Sequence, residues 1–254
     1  VIQNQPDSPF TNLRRILVRR FAHHGSTFSR VGASGNPGAV QFWRPEKVRH
    51  ILLAESHVFT TDDEIRRTCL VGASLQLPTA FVRFVYCLGY GENGILNRAI
   101  QQNSGTPQYW QLFANCAHPE QTETFRKRVT GGGEPIRSRR IQAKIELLKH
   151  LQDAGVWLLD ASIVGLYKPG SAKIAATKMK QVISECWSQY LHKQILNANP
   201  DSITVVGKFV YGVLAQKLST LGPNRMLVIS QPNARLTSSS REDEMRKLRE
   251  LIWT

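Results

Sequence analysis

The chain has 254 residues, 41% of them hydrophobic and 20% charged, enough to bury the core of one domain. Its formal charge of +14, from 33 Lys and Arg against 19 Asp and Glu, is too lopsided for an ordinary metabolic enzyme and points to a polyanionic partner, unless the basic residues form no more than a solvated surface. No apolar run approaches the roughly 20 residues that cross a bilayer, and Val1 to Phe10 lacks the basic-then-apolar order of a secretory signal, so a cytoplasmic protein with no membrane contact is expected.

Residues 1–45 mix Arg, Gly, Ser and Pro and read as a basic N-terminal extension, with an amphipathic stretch from Leu13 to Phe21 suited to a helix capped by Thr11. The short apolar run His50 to Ala54 then ends in Glu55, Ser56 and His57. This is the pattern of a buried parallel strand that hands polar side chains to a functional loop at its C-terminal edge. Leu70 to Pro119 reads as an elaboration over the sheet edge, with Phe81 to Leu88 suited to a strand and Gln108 to Cys116 to a helix. Gly131 to Gly133 and Pro135, followed by the basic cluster Arg137 to Arg140, look like a loop before a helix at Ile141 to Ala154.

Three further apolar runs follow: Val156 to Leu159 ending in Asp160, Ile203 to Val206 ending in Gly207, and Met226 to Ile229 ending in Ser230, Gln231 and Pro232. Ala172 to Leu196, apolar at spacings of three and four, is a long amphipathic helix between the first two, and Lys208 to Leu218 repeats the pattern between the second and third. Residues 237–254 read as a C-terminal helix. Strands alternating with helices imply an α/β fold with a parallel sheet and ligands at the strand C-termini. Cys69, Cys87, Cys116 and Cys186 form no Cys-x-x-Cys pair and read as structural thiols, so neither a metal nor another cofactor is expected.

The order of these pieces resembles the uracil-DNA glycosylase superfamily from about Arg49 to Arg235. Gly155 to Val164 (Gly-Val-Trp-Leu-Leu-Asp-Ala-Ser-Ile-Val) looks like the superfamily strand that runs Gly-Val-Leu-Leu-Leu-Asn. Tyr190 to Leu218 is similar to the segment that contacts the DNA backbone. Leu52 to His57 stands where relatives keep their water-activating loop, with Ala54 in place of the usual Gly, His57 in place of Pro, and Glu55 matching an acidic variant. Gln231 to Leu236 looks like the His-Pro-Ser-Pro loop, with Gln231 at the position of the His.

The resemblance implies one domain over residues 1–254, with its core at 46–236. It implies a three-layer αβα sandwich around a mainly four-stranded parallel sheet, and a monomer that flips a base out of duplex DNA. Glu55, Ser56 and His57 are the expected catalytic residues. Asp160, Phe81 and Phe84 are expected to recognise the base, with Tyr86 a further stacking candidate. Gly207, Lys208, Gln231, Asn233 and Arg235 are expected to grip DNA.

Asp160 replaces an amide that reads uracil in relatives, and an ionised carboxylate can only accept hydrogen bonds. Cytosine offers an amine donor at the equivalent place, so a cytosine derivative such as hydroxymethylcytosine or its glucosylated form is the expected substrate, with defence against phage as a setting. Two other readings stay open: repair of uracil or hypoxanthine, and DNA binding without catalysis. A strand-end Asp can also simply cap a turn.

Overall fold

The computed structural model describes residues 37–71, 75–167, 175–222 and 225–254. The expected helix at Leu13 to Phe21 and the start of the one at Ala172 lie outside these residues. In chain order the elements are α1 (Pro37–Phe42), β1 (His50–Val58), α2 (Asp62–Ile65), α3 (Pro107–Cys116), α4 (Pro119–Arg128), α5 (Arg137–Asp153), β2 (Val156–Tyr167), α6 (Ala176–Cys186), α7 (His192–Ala198), β3 (Ser202–Val206), α8 (Lys208–Ser219), β4 (Arg225–Ile229) and α9 (Ser238–Trp253). A π turn at Trp187–Leu191 joins α6 to α7. No described helix is long and apolar enough to cross a membrane.

The four strands pair in parallel in the order β2-β1-β3-β4, with helices on both faces. Side chains alternate across the sheet and so feed two cores. Leu52, Leu158 and Val206 pack with α3, α5 and α9, while Ile51, Leu53, Trp157, Ile203 and Val205 pack with α6 and α8. The chain leaves β1 on one face and returns from β2 to β3 on the other. The crevice at the C-terminal ends of β1 and β3 is therefore where such a sheet accepts ligands.

Four departures from the sequence reading have physical causes. Glu55 to His57 do not form a loop after β1 but continue the strand, and Asp160 lies within β2 rather than at its end. The pairing jumps from Ser56 with Ser162 to Val58 with Tyr167, so β2 holds a wide bulge that lets both strands run on. Gly165 permits it, because a Cβ there would stand 2.7 Å from the Phe59 backbone.

Phe81 to Leu88 is no strand: Cys87 N donates to Phe84 O and Tyr90 N to Cys87 O, successive turns in a segment that is buried throughout. A continuous apolar run does not distinguish buried turns from a buried strand. Packing also begins before residue 46, since Trp43 is buried and Trp157 Nε1 donates to Val40 O at 3.0 Å. Helix α5, finally, starts a turn earlier than expected and takes in the Arg137 to Arg140 cluster.

Candidate active site

A cavity of about 720 Å³ opens at the C-terminal ends of the strands. Its wall combines Glu55, Ser56 and His57 of β1, Asp160 and Tyr167 of β2, the segment around Phe84, the start of α3 at Tyr109, and the loop after β4 at Gln231 to Asn233. Residues more than a hundred positions apart thus meet because a parallel sheet sends every strand to the same edge.

Asp160 and His57 form the pair at the centre. Asp160 Oδ2 accepts from the His57 backbone N–H at 2.8 Å and faces His57 Nδ1 at 2.9 Å. A carboxylate offers no proton, so Nδ1 carries one. In the neutral ring Nε2 is then the acceptor, and Nε2 is buried without a partner among the described residues. Phe84 lies edge-on to the His57 ring with centroids 6.1 Å apart and lines the cavity.

Glu55 belongs to a second chain of contacts. Tyr167 Oη donates to Glu55 Oε2 at 2.8 Å, Gln231 Nε2 donates to the same oxygen at 3.5 Å and to Val206 O at 3.3 Å, and Tyr109 Oη donates to Gln231 Oε1 at 3.3 Å. Burial pushes the Tyr109 hydroxyl well above the usual phenol range, and the carboxylates of Asp160 and Glu55 push it further. Burial and the Glu55 charge do the same to Tyr167. Both phenols are therefore fixed donors. Gln231 sits over the end of β3 because Gly207 has no side chain. A Cβ there would lie 2.6 Å from Gln231 Nε2, and φ of +111° already favours glycine.

The remaining candidates divide. Ser56 lines the cavity, but its Oγ accepts from Leu166 N at 3.3 Å and so serves the bulge. Phe81 is fully buried beneath the cavity and is not among its lining, and Tyr86 is equally internal, its Oη accepting from Leu158 N at 2.8 Å. Lys208, at the first turn of α8, and Arg235 are exposed, and Asn233 is exposed at the cavity rim. Gln231, expected to grip DNA, lines the cavity with its amide turned inward to Glu55, Val206 and Tyr109.

Three participants are invisible in the sequence. Tyr109 and Tyr167 carry no local motif. Arg83 joins the wall through a bidentate pair with Glu64, Nη2 to Oε1 at 2.6 Å and Nε to Oε2 at 3.0 Å. Its backbone N–H also donates to Thr60 Oγ1 at 2.8 Å, which anchors the segment that presents Phe84. Only Glu64, the partner of Arg83, has a local signature, the capping box from Thr61 to Glu64.

Among the described residues no group of three or more His, Cys, Asp or Glu is disposed to hold a metal ion. Comparison with protein-family models, curated proteins and solved structures finds no match to this chain.

Proposed function

We propose that this protein is a DNA glycosylase that extrudes a nucleotide from duplex DNA into the 720 Å³ cavity and removes its base, a cytosine derivative. One observation carries the reading: Asp160 stands in the cavity wall with Oδ2 committed to His57 and with no hydrogen bond to Oδ1 among the described residues. Oδ1 then accepts from the exocyclic amine of cytosine. Uracil would present a carbonyl oxygen to the same acceptor, and a match of this kind discriminates by about 1–3 kcal/mol. The four-stranded parallel sheet with its cavity at the strand C-termini supports the same reading.

Cleavage of the glycosidic bond gathers positive charge on the sugar and negative charge on the base. Glu55, held by Tyr167, faces the first with a fixed carboxylate and orients the attacking water. Asp160 favours a proton on the ring nitrogen of the base, which then leaves neutral. The C1′–N1 bond breaks towards the base, whose ring proton comes from solvent. Water adds its hydroxyl to C1′ and gives its proton through Glu55 back to solvent, so the products are a free base and an abasic site. The charge of +14, the exposed Lys208 and Arg235, and the start of α8, which Gly207 leaves without a side-chain cap, supply the grip on phosphates.

Duplexes containing cytosine, hydroxymethylcytosine, glucosylated hydroxymethylcytosine, uracil or hypoxanthine test this, with the released base identified by mass. Release of a modified cytosine is expected. Release of uracil alone overturns the substrate, and release of nothing while DNA is still bound overturns the catalysis.

A further inference from the structure

A second cavity, of about 580 Å³, lies on the other side of Thr106 and Gln108, which line both cavities. Its floor is a buried charged triad. Glu92 Oε1 accepts from Arg140 Nε at 2.6 Å and from Lys144 Nζ at 2.9 Å, and Oε2 accepts from Arg140 Nη2 at 2.7 Å. Burial pushes the Glu92 carboxyl up, but the hydrogen bonds and charges of Arg140 and Lys144 outweigh it and hold it below the ordinary value. Arg140 Nη1 is taken by the carbonyls of Glu134 and Pro135. Lys144 gives one of its three protons to Glu92 and lies over the Trp110 ring, 5.0 Å from its centroid. It keeps donors to spare.

Burying such a triad is weak support for a fold, because apolar side chains of similar volume do as well or better. Its place at the bottom of a cavity suggests a ligand. The lining also includes the neutral polar residues Ser104, Gln111 and Thr130 beside the two shared residues, with Pro107 and Val129 among them, and Thr106 Oγ1 is buried without a partner among the described residues. Gly131 and Gly132 border the opening, and a Cβ on either would meet nothing within 4 Å. Gly133 next to them is different, since its Cβ would stand 2.0 Å from Lys127 O. Packing thus requires the third glycine of the run, while the first two leave the cavity open.

The donor set selects the ligand. An anion on this floor would meet the Glu92 carboxylate along with Lys144. A neutral group with adjacent hydroxyls donates to Glu92 and accepts from Lys144 together, and the hydroxyls and amides of the lining suit its remaining groups. We infer that the second cavity binds a neutral, hydroxyl-rich group such as a hexose. Resting on the glycosylase reading, that group is the substituent of the flipped base, which passes Thr106 from the first cavity into the second.

Two variants, Gly132→Phe and Gly131→Leu, add a side chain at residues that line the second cavity and where a Cβ meets nothing within 4 Å. Saturation-transfer NMR with methyl glucoside is expected to show binding to the wild type and none to either variant. Release of glucosylated hydroxymethylcytosine is expected to fall by about tenfold or more in both variants, and release of hydroxymethylcytosine by less than about twofold. Equal glucoside signals in all three proteins, no signal in the wild type, or displacement by inorganic phosphate would overturn the subsite. Glucoside binding that the variants abolish, with no base released from any duplex by the wild type, would uphold the subsite as one for a free sugar and sink the glycosylase reading instead.

Discussion

Strand β1 carries a buried histidine near each end, and the two are held in different ways. At the N-terminal end His50 is 6% exposed and Nδ1 meets the hydroxyl of Ser202 at 2.6 Å. At the C-terminal end His57 is 4% exposed and Nδ1 meets the carboxylate of Asp160 at 2.9 Å. A hydroxyl can donate or accept, so it suits a neutral ring in either tautomer; a carboxylate accepts alone and dictates which nitrogen holds the proton. Burial, aided by the Arg49 charge, lowers the His50 pKa from 6.5 to about 4. Residue type and burial alone therefore say little about a histidine's role. What separates a structural one from a candidate for chemistry is the partner, and the C-terminal edge of the sheet is where a charged partner and a cavity coincide.

That contrast breaks first if the two ends respond alike to mutation. Glu55→Gln, at the C-terminal end, keeps an oxygen for Tyr167 but removes the charge. Base release is expected to fall roughly 100–1,000-fold in single-turnover assays, with DNA affinity and melting temperature nearly unchanged. Ser202→Ala, at the N-terminal end, is expected to do the reverse: it leaves His50 Nδ1 buried without its partner and lowers stability by about 1–3 kcal/mol in urea unfolding, while the rate of base release holds.

The pH dependence sharpens the comparison further. His50 binds a proton less readily folded than unfolded, so its contribution is complete above 6.5 and is lost as pH falls from there through about 4. The drop in urea midpoint between about pH 7 and about pH 4.5 should shrink in His50→Gln. A drop as large as that of the wild type would mean that another group controls it. The smallest effect concerns the outer surface: Arg235→Ala is expected to weaken DNA binding across all sequences and to reduce the slope of log affinity against log salt by about 1, leaving the identity of the released base unchanged.

Much of the fold was legible because apolar runs and helical spacing report burial directly. Strand β3, helix α8 and the C-terminal helix lie within a residue or two of the expected bounds. Asp160 stood out because it takes the place of the amide in the stretch Gly155 to Val164 that resembles the superfamily strand, and it lies in the cavity wall. The continuation of β1 through Glu55 to Val58 was not, since polar residues in a bulged strand look like a strand's end. Tyr109 and Tyr167 were hidden for another reason. Nothing in a local pattern says that position 109 meets position 231, or 167 meets 55; only the order of strands in the sheet does.

The central claim is that the uncommitted oxygen of Asp160 reads an amine on the base, and Asp160→Asn tests it most directly. The measurement is the ratio of modified cytosine to uracil released, by wild type and variant, from duplexes carrying one of each. The wild type should favour the modified cytosine, and the amide, which can donate to a carbonyl, should reverse the preference. An unchanged ratio in a folded, active variant would contradict the account.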